Sequence, residues 1–162
     1  MGITFVTNRS ARPETVDNPK YTISNAARIL GISVHTLRMY EREGLIIPYK
    51  KRSNQRLYSD TDLTRVQCIR TAINEEKMSI EGIKRILSMV PCWAVVQCPS
   101  EDRETCPAYT GHEAPCWKLT HRSEFCQGKE CRECRVYREF TDCGSIKGGI
   151  KQLIQAMYAD AK

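Results

Sequence analysis

No apolar run in this chain approaches the length of a membrane-spanning helix. The N-terminus lacks the charged-then-apolar order of a secretory signal, and Met1-Gly2 has no Ser or Thr at position 6 to complete a lipidation pattern. The chain is therefore expected to be cytoplasmic. It has no phosphate-cradling glycine loop, no Ser-His-Asp order and no acidic pair flanking a pocket, so no enzymatic activity is expected. Residues 91–143 are poor in large aliphatic side chains and cannot form a packed core by themselves. Something covalent or coordinative must hold that stretch together.

What is present is unevenly distributed. The net charge is +6, and residues 20–90 carry 13 Lys and Arg against 7 Asp and Glu, while the flanking stretches balance. A cationic excess confined to one segment is what phosphate contacts require. Eight of the nine cysteines fall in residues 91–143, with four Pro and two Gly. In a reducing compartment, such density points to metal ligands or redox chemistry before standing disulfides.

Two short helices are predicted in the basic segment. Thr22 can cap the first, which stops at Gly31; Ser33 can cap the second, which stops at Gly44. Two short helices joined by a tight turn are the helix-turn-helix pattern. The basic run Lys50-Lys51-Arg52, between residues suited to short strands, reads as a wing. Ser59 and Asp62 form a capping box before a third helix, with Leu63, Val66, Ile69 or Arg70, and Ile73 facing a core. A fourth starts at Ser79, and its Ile80, Ile83, Ile86, Leu87 and Val90 should complete that core. Cys68, apart from the other cysteines, is expected to be a small buried hydrophobe.

Tyr21-Thr22-Ile23, Ala26-Ala27, His35-Thr36-Leu37-Arg38-Met39-Tyr40-Glu41, Gly44-Leu45, Pro48, Arg56-Leu57-Tyr58-Ser59, Asp62-Leu63 and Ser79-Ile80 occur in order and spacing. On these residues the segment 21–89 resembles the DNA-binding domain of the MerR family of transcriptional regulators. Met39 replaces a frequent aromatic, and Lys77 stands where the family usually has Gly, at a cost of roughly 1 kcal/mol if that backbone is left-handed. The resemblance implies that Ser33, Val34, His35 and Arg38 face base edges or nearby phosphates. It further implies that Thr22, Tyr40, Arg42, Lys50, Lys51, Arg52, Asn54, Arg56 and Tyr58 position the protein on the duplex. The implied partners are double-stranded operator DNA, a second copy of the chain, and RNA polymerase at the promoter.

Many relatives continue from the fourth helix into a long dimerisation helix, which Pro91 interrupts here. The cysteines run Cys92, Cys98, Cys106, Cys116, Cys126, Cys131, Cys134 and Cys143, with Cys-Trp pairs at Cys92-Trp93 and Cys116-Trp117. An indole beside a thiolate would exclude water from a metal centre. The arrangement resembles two-Cys-Trp modules appended to regulatory proteins, and by that resemblance a 4Fe-4S iron–sulfur cluster is favoured. Zinc on Cys131-x2-Cys134, with His112 and His121 as spare ligands, and a thiol–disulfide switch remain open.

The fold expected is mainly α. A flexible arm (1–19) precedes a winged helix-turn-helix domain (20–90), a small cysteine-rich, metal- or cluster-bound domain (91–144) and a C-terminal amphipathic helix (145–162). In that last helix Ile146, Ile150, Leu153, Ile154 and Met157 form the apolar stripe, and Gly148 and Gly149 weaken the first turn. The function expected is a DNA-binding regulator that senses redox state, oxygen or metal; the alternatives are a DNA-binding regulator with purely structural zinc and a cysteine-based redox protein. The cysteine module carries no excess positive charge, so it is expected to act through the dimer without touching DNA.

Overall fold

The computed structural model describes residues 17–120, 125–140 and 143–159. Most of the expected arm, His121, and the side chains of Cys143, Ile146, Leu153 and Met157 lie outside the described residues. The described chain is mainly helical, as expected, with one small sheet.

Capping chemistry sets the first half. Helix α1 (Ile23–Leu30) begins where the Thr22 hydroxyl accepts the Asn25 N–H, and it ends at Gly31 with φ 63°. Helix α2 (Val34–Arg42) begins where the Ser33 hydroxyl accepts the Thr36 N–H at 2.9 Å. Gly44, just past its end, has φ 74°, a conformation that glycine adopts without Cβ strain. Strands β1 (Tyr21–Thr22), β2 (Tyr49–Lys50) and β3 (Arg56–Tyr58) form an antiparallel sheet in the order β1-β3-β2. Tyr21 pairs with Tyr58, and Lys50 with Arg56, so residues 51–55 form the turn of the wing.

Helix α3 (Asp60–Asn74) has its capping box: the Ser59 hydroxyl accepts the Asp62 N–H, and the Asp62 carboxylate accepts the Ser59 N–H. Helix α4 (Ile80–Ser88) starts from Ser79 as predicted. Between them Lys77 has φ 58°, the left-handed conformation its family position suggested. Leu37, Leu45, Ile46, Tyr58, Val66, Ile69 and Ile83 are buried in one core shared by α1–α4. Two core assignments need correction. Ile86 is exposed, and Val90 joins a second core instead of the first. Cys68 also departs from expectation, being half-buried and disulfide-bonded rather than a lone buried hydrophobe.

The second core gathers Val90, Val95, Val136 and Phe140, with Leu87 and Ile150 against it. It joins the short helices α5 (Cys92–Val95) and α8 (Arg135–Glu139) to α9 (Cys143–Ala159), while α6 (Ser100–Arg103) and α7 (Pro107–Thr110) lie between α5 and α8 along the chain. The α9 glycines do not break the helix. A Cβ on Gly149 would lie 2.5 Å from Phe140 Cε1, so the missing side chain lets α9 approach the core. Ile150 packs inward, whereas Ile154 and Tyr158 are exposed.

Candidate functional site

Two sites take shape on this frame, joined by a seam. On α2, residues 34, 38 and 42 recur at helical spacing; Arg38 and Arg42 are exposed beside exposed Ser33 and His35, with Val34 half-buried. The wing adds exposed Lys50, Lys51, Arg52 and Asn54. These side chains form one cationic surface open to solvent.

Four residues expected at that surface are engaged within the protein. Tyr40 and Tyr58 are buried, so they hold α2 to the sheet instead of reaching outward. The Tyr58 hydroxyl donates to Glu41, and Arg56 Nε donates to the same carboxylate at 2.8 Å. Burial first, and then Glu41, push the Tyr58 ionisation far above its ordinary value, so it remains a neutral donor. Arg56 is half-buried, and Thr22 spends its hydroxyl on the α1 cap. Sequence spacing correctly placed these residues beside the helix, but could not show which way the rings turn.

The second site is a cavity of about 50 Å³. Cys92, Cys98, Cys106, Cys116, Cys126, Cys131 and Cys134 line it, brought together from α5, the loops, the residue preceding α7 and two 3₁₀ turns. Cys92, Cys98, Cys116, Cys126, Cys131 and Cys134 are free thiols. Trp93 stands edge-on to Tyr109 at 4.9 Å, and Trp117 edge-on to Tyr137 at 5.2 Å, giving aromatic walls. His112, a spare ligand by sequence, is exposed and does not line the cavity.

The thiols differ electrostatically. A hydrogen bond from Cys116 brings Cys92 down to about 7 against the opposing effect of burial. The same bond, followed by burial, pushes Cys116 strongly up. Burial also pushes Cys126 up to about 11, and raises Cys98 and Cys131. Seven soft donors behind aromatic walls are a suitable donor set for thiophilic metals. They exceed the four that one tetrahedral ion takes and suffice for a cluster. Among the described residues, no three His, Cys, Asp or Glu side chains are gathered tightly enough for a single metal ion.

The seam between the sites was not foreseen. Trp117 Nε1 donates to Gly44 O at 2.7 Å, and Lys118 donates to Arg42 O, so the Cys116–Lys118 turn caps the C-terminal end of α2. Tyr137 accepts the Ile47 N–H at 2.8 Å. Arg132, between Cys131 and Cys134, grips both Asp62 oxygens at 2.9 and 2.8 Å and reaches Asp17 at 3.0 Å. The sequence signal for this seam was faint: a basic residue inside a Cys-x2-Cys pair has no visible partner until the fold supplies one. The cysteine module thus touches the C-terminal end of α2 within the same chain.

Comparison with known proteins places these features. A family profile described as MerR HTH family regulatory protein matches residues 21–90. A candidate heat shock protein, HspR, of Streptomyces coelicolor is 36% identical over 75 residues, covering 46% of this chain and 50% of that protein. An uncharacterised HTH-type transcriptional regulator, YyaN, of Bacillus subtilis is 40% identical over 68 residues, covering 41% and 49%. The chain thus spans about half the length of these two relatives. A candidate heavy metal-dependent transcriptional regulator of Haemophilus influenzae is 30% identical over 121 residues, covering 70% of this chain and 94% of that protein. No solved structure matches. With a winged helix-turn-helix in place and near full-length coverage of the third relative, the chain belongs to the MerR family of helix-turn-helix regulatory proteins, which are DNA-binding transcription factors and not enzymes.

Proposed function

We propose that this protein is a transcriptional regulator whose thiol cavity holds a metal centre that governs operator binding. The observation carrying the proposal is the convergence of seven cysteines on one cavity whose wall, Trp117, is hydrogen-bonded to the end of the recognition helix. An iron–sulfur cluster is the occupant we favour, because its thiolate donors, apolar surroundings and polynuclear size suit this lining. When bound, such a centre supplies a charge and oxidation state that change with redox conditions or metal supply. The relative described as heavy metal-dependent supports a metal in this role. Zinc held structurally is the competing outcome.

In this reading residues 20–90 bind DNA, 91–144 sense, and 145–162 provide part of the interface of a homodimer acting with RNA polymerase at a promoter. The exposed Ile154 and Tyr158 support that last assignment. Ser33, Val34, His35 and Arg38 meet base edges or nearby phosphates; Arg42, Lys50, Lys51, Arg52 and Asn54 meet phosphates. Cys92, Cys98, Cys106, Cys116, Cys126, Cys131 and Cys134 form the ligand pool. The deciding experiment is the absorption spectrum and metal content of anaerobically purified protein, paired with operator binding before and after chelation. Air-bleached brown absorbance selects the cluster and a colourless zinc-loaded sample selects structure, whereas a metal-free protein with unchanged DNA binding removes the proposal.

The DNA face makes two further expectations. Arg38→Ala should weaken operator binding by about 1–3 kcal/mol if the guanidinium reads a base. Unchanged affinity in a folded variant would remove α2 as the reading helix. Neutralising Lys50, Lys51 and Arg52 should weaken specific and random DNA alike, flattening the salt dependence by about one unit of slope per lost phosphate contact. A loss confined to the operator would mean that the wing reads sequence.

A further inference from the structure

Arg65, on the inner face of α3, is an anomaly in the DNA-binding half. It is 3% exposed, and among the described residues neither its Nε nor one of its terminal nitrogens has a hydrogen-bond partner. Its other terminal nitrogen donates to the Tyr137 carbonyl. Asp62 is the nearest carboxylate in charge terms, but Arg132 occupies both of its oxygens. A buried cation without a counter-charge is costly, and sequences retain one only where something repays it.

The location of the guanidinium indicates what does so. Its carbon lies 3.8 Å from the centre of the Tyr137 ring and 5.6 Å from that of Trp117. Both rings line the thiol cavity, so Arg65 sits behind the aromatic wall of that cavity. Arg103 and Lys129 line the cavity too, and among the described residues no carboxylate does. The surroundings are therefore cationic on several sides and apolar between. Metal coordination by cysteine requires thiolates, and four of them around one zinc ion or one cluster leave the centre with net negative charge.

We infer that Arg65 is the counter-charge to an anionic metal–thiolate centre in the cavity, so that loading the centre repays the burial of a cation carried by the DNA-binding half. This rests on the metal-centre reading above and extends it. The charge of the centre is felt on α3 across two aromatic rings, with no ligand supplied by α3. Arg65 is thus a positioning residue, acting through Tyr137 and Trp117. Burial depresses the Arg65 ionisation from its ordinary value.

The test uses the full chain, reduced and metal-free under argon, melted before and after loading with zinc alone and, separately, with ferrous iron and sulfide. Loading should raise the wild-type midpoint by about 4–8 °C more than it raises that of Arg65→Met, with Arg65→Lys retaining most of the gain. Zinc affinity, by chelator competition, should fall about tenfold in Arg65→Met. A role in packing alone lowers the midpoint equally in both states, and that result overturns the inference while leaving the metal centre intact. A wild type that gains nothing from either loading overturns both. Should the Met variant not fold, the Arg65 Nε–H resonance of the wild type decides. It is expected to shift and exchange more slowly on loading, and an unmoved resonance overturns the assignment.

Discussion

Arg132→Met is expected to lower the unfolding free energy by about 3–5 kcal/mol, because it leaves Asp62 as an uncompensated buried charge. Asp62 is 2% exposed and Arg132 5%, and the pair is bidentate. The same guanidinium also donates to the Ile47 carbonyl and reaches the Ser59 hydroxyl at 3.3 Å. Its removal therefore strands groups on the strand approach and at the α3 cap together. Adding Asp62→Asn should restore part of the loss, since the charge is gone even though the capping box is weakened. Denaturant melts of the two single variants and the double variant measure the coupling. A loss below about 1 kcal/mol for Arg132→Met would mean that Asp62 is hydrated in solution and that the module does not dock there.

Trp117→Ala should cost about 3–5 kcal/mol, the range for deleting a large aromatic from a packed site. Here the indole is at once a cavity wall, the edge partner of Tyr137, and the donor to Gly44 O. Trp117→Phe keeps most of the ring and loses the donor. It should cost about 1–2 kcal/mol, the penalty for leaving a buried carbonyl unpaired. The pair of variants also separates stability from signalling. With Phe the protein remains folded, but the difference in operator affinity between metal-loaded and metal-stripped forms should shrink. If Phe preserves that difference in full, the signal does not pass through the Trp117–Gly44 bond.

The helices and wing of the first half were legible because their signals are local. Thr22, Ser33, Ser59 and Ser79 each cap the helix directly after them, and Gly31 and Gly44 take the left-handed turns. The gathering of seven cysteines could be anticipated from composition, although no spacing rule placed them around one cavity. Three features stayed hidden, for one reason. The burial of Tyr40 and Tyr58, the clamp of Arg132 on Asp62 and the stacking of Arg65 on Tyr137 depend on partners distant in sequence. Periodicity reports which face of a helix is apolar, not what arrives to cover it. The disulfide at Cys68 is a further case, since an isolated cysteine on a regular helix carries no mark of its pairing.

The bonds of the seam join residues far apart along the chain: 73 positions between Gly44 and Trp117, 90 between Ile47 and Tyr137, and 115 between Asp17 and Arg132. The caps of α1–α4 close over only three. Long closures pay their chain entropy before any contact returns it, so they form last. Pulse-labelled hydrogen exchange during refolding should therefore protect amides of α3 before that of Ile47, and simultaneous protection would contradict this order. A newly made molecule accordingly passes through a stage at which the helices of residues 20–90 have formed while residues 116–137 have yet to clasp them. How long that undocked interval lasts is set by the docking rate of residues 116–137, a kinetic property distinct from the strength of the docked state.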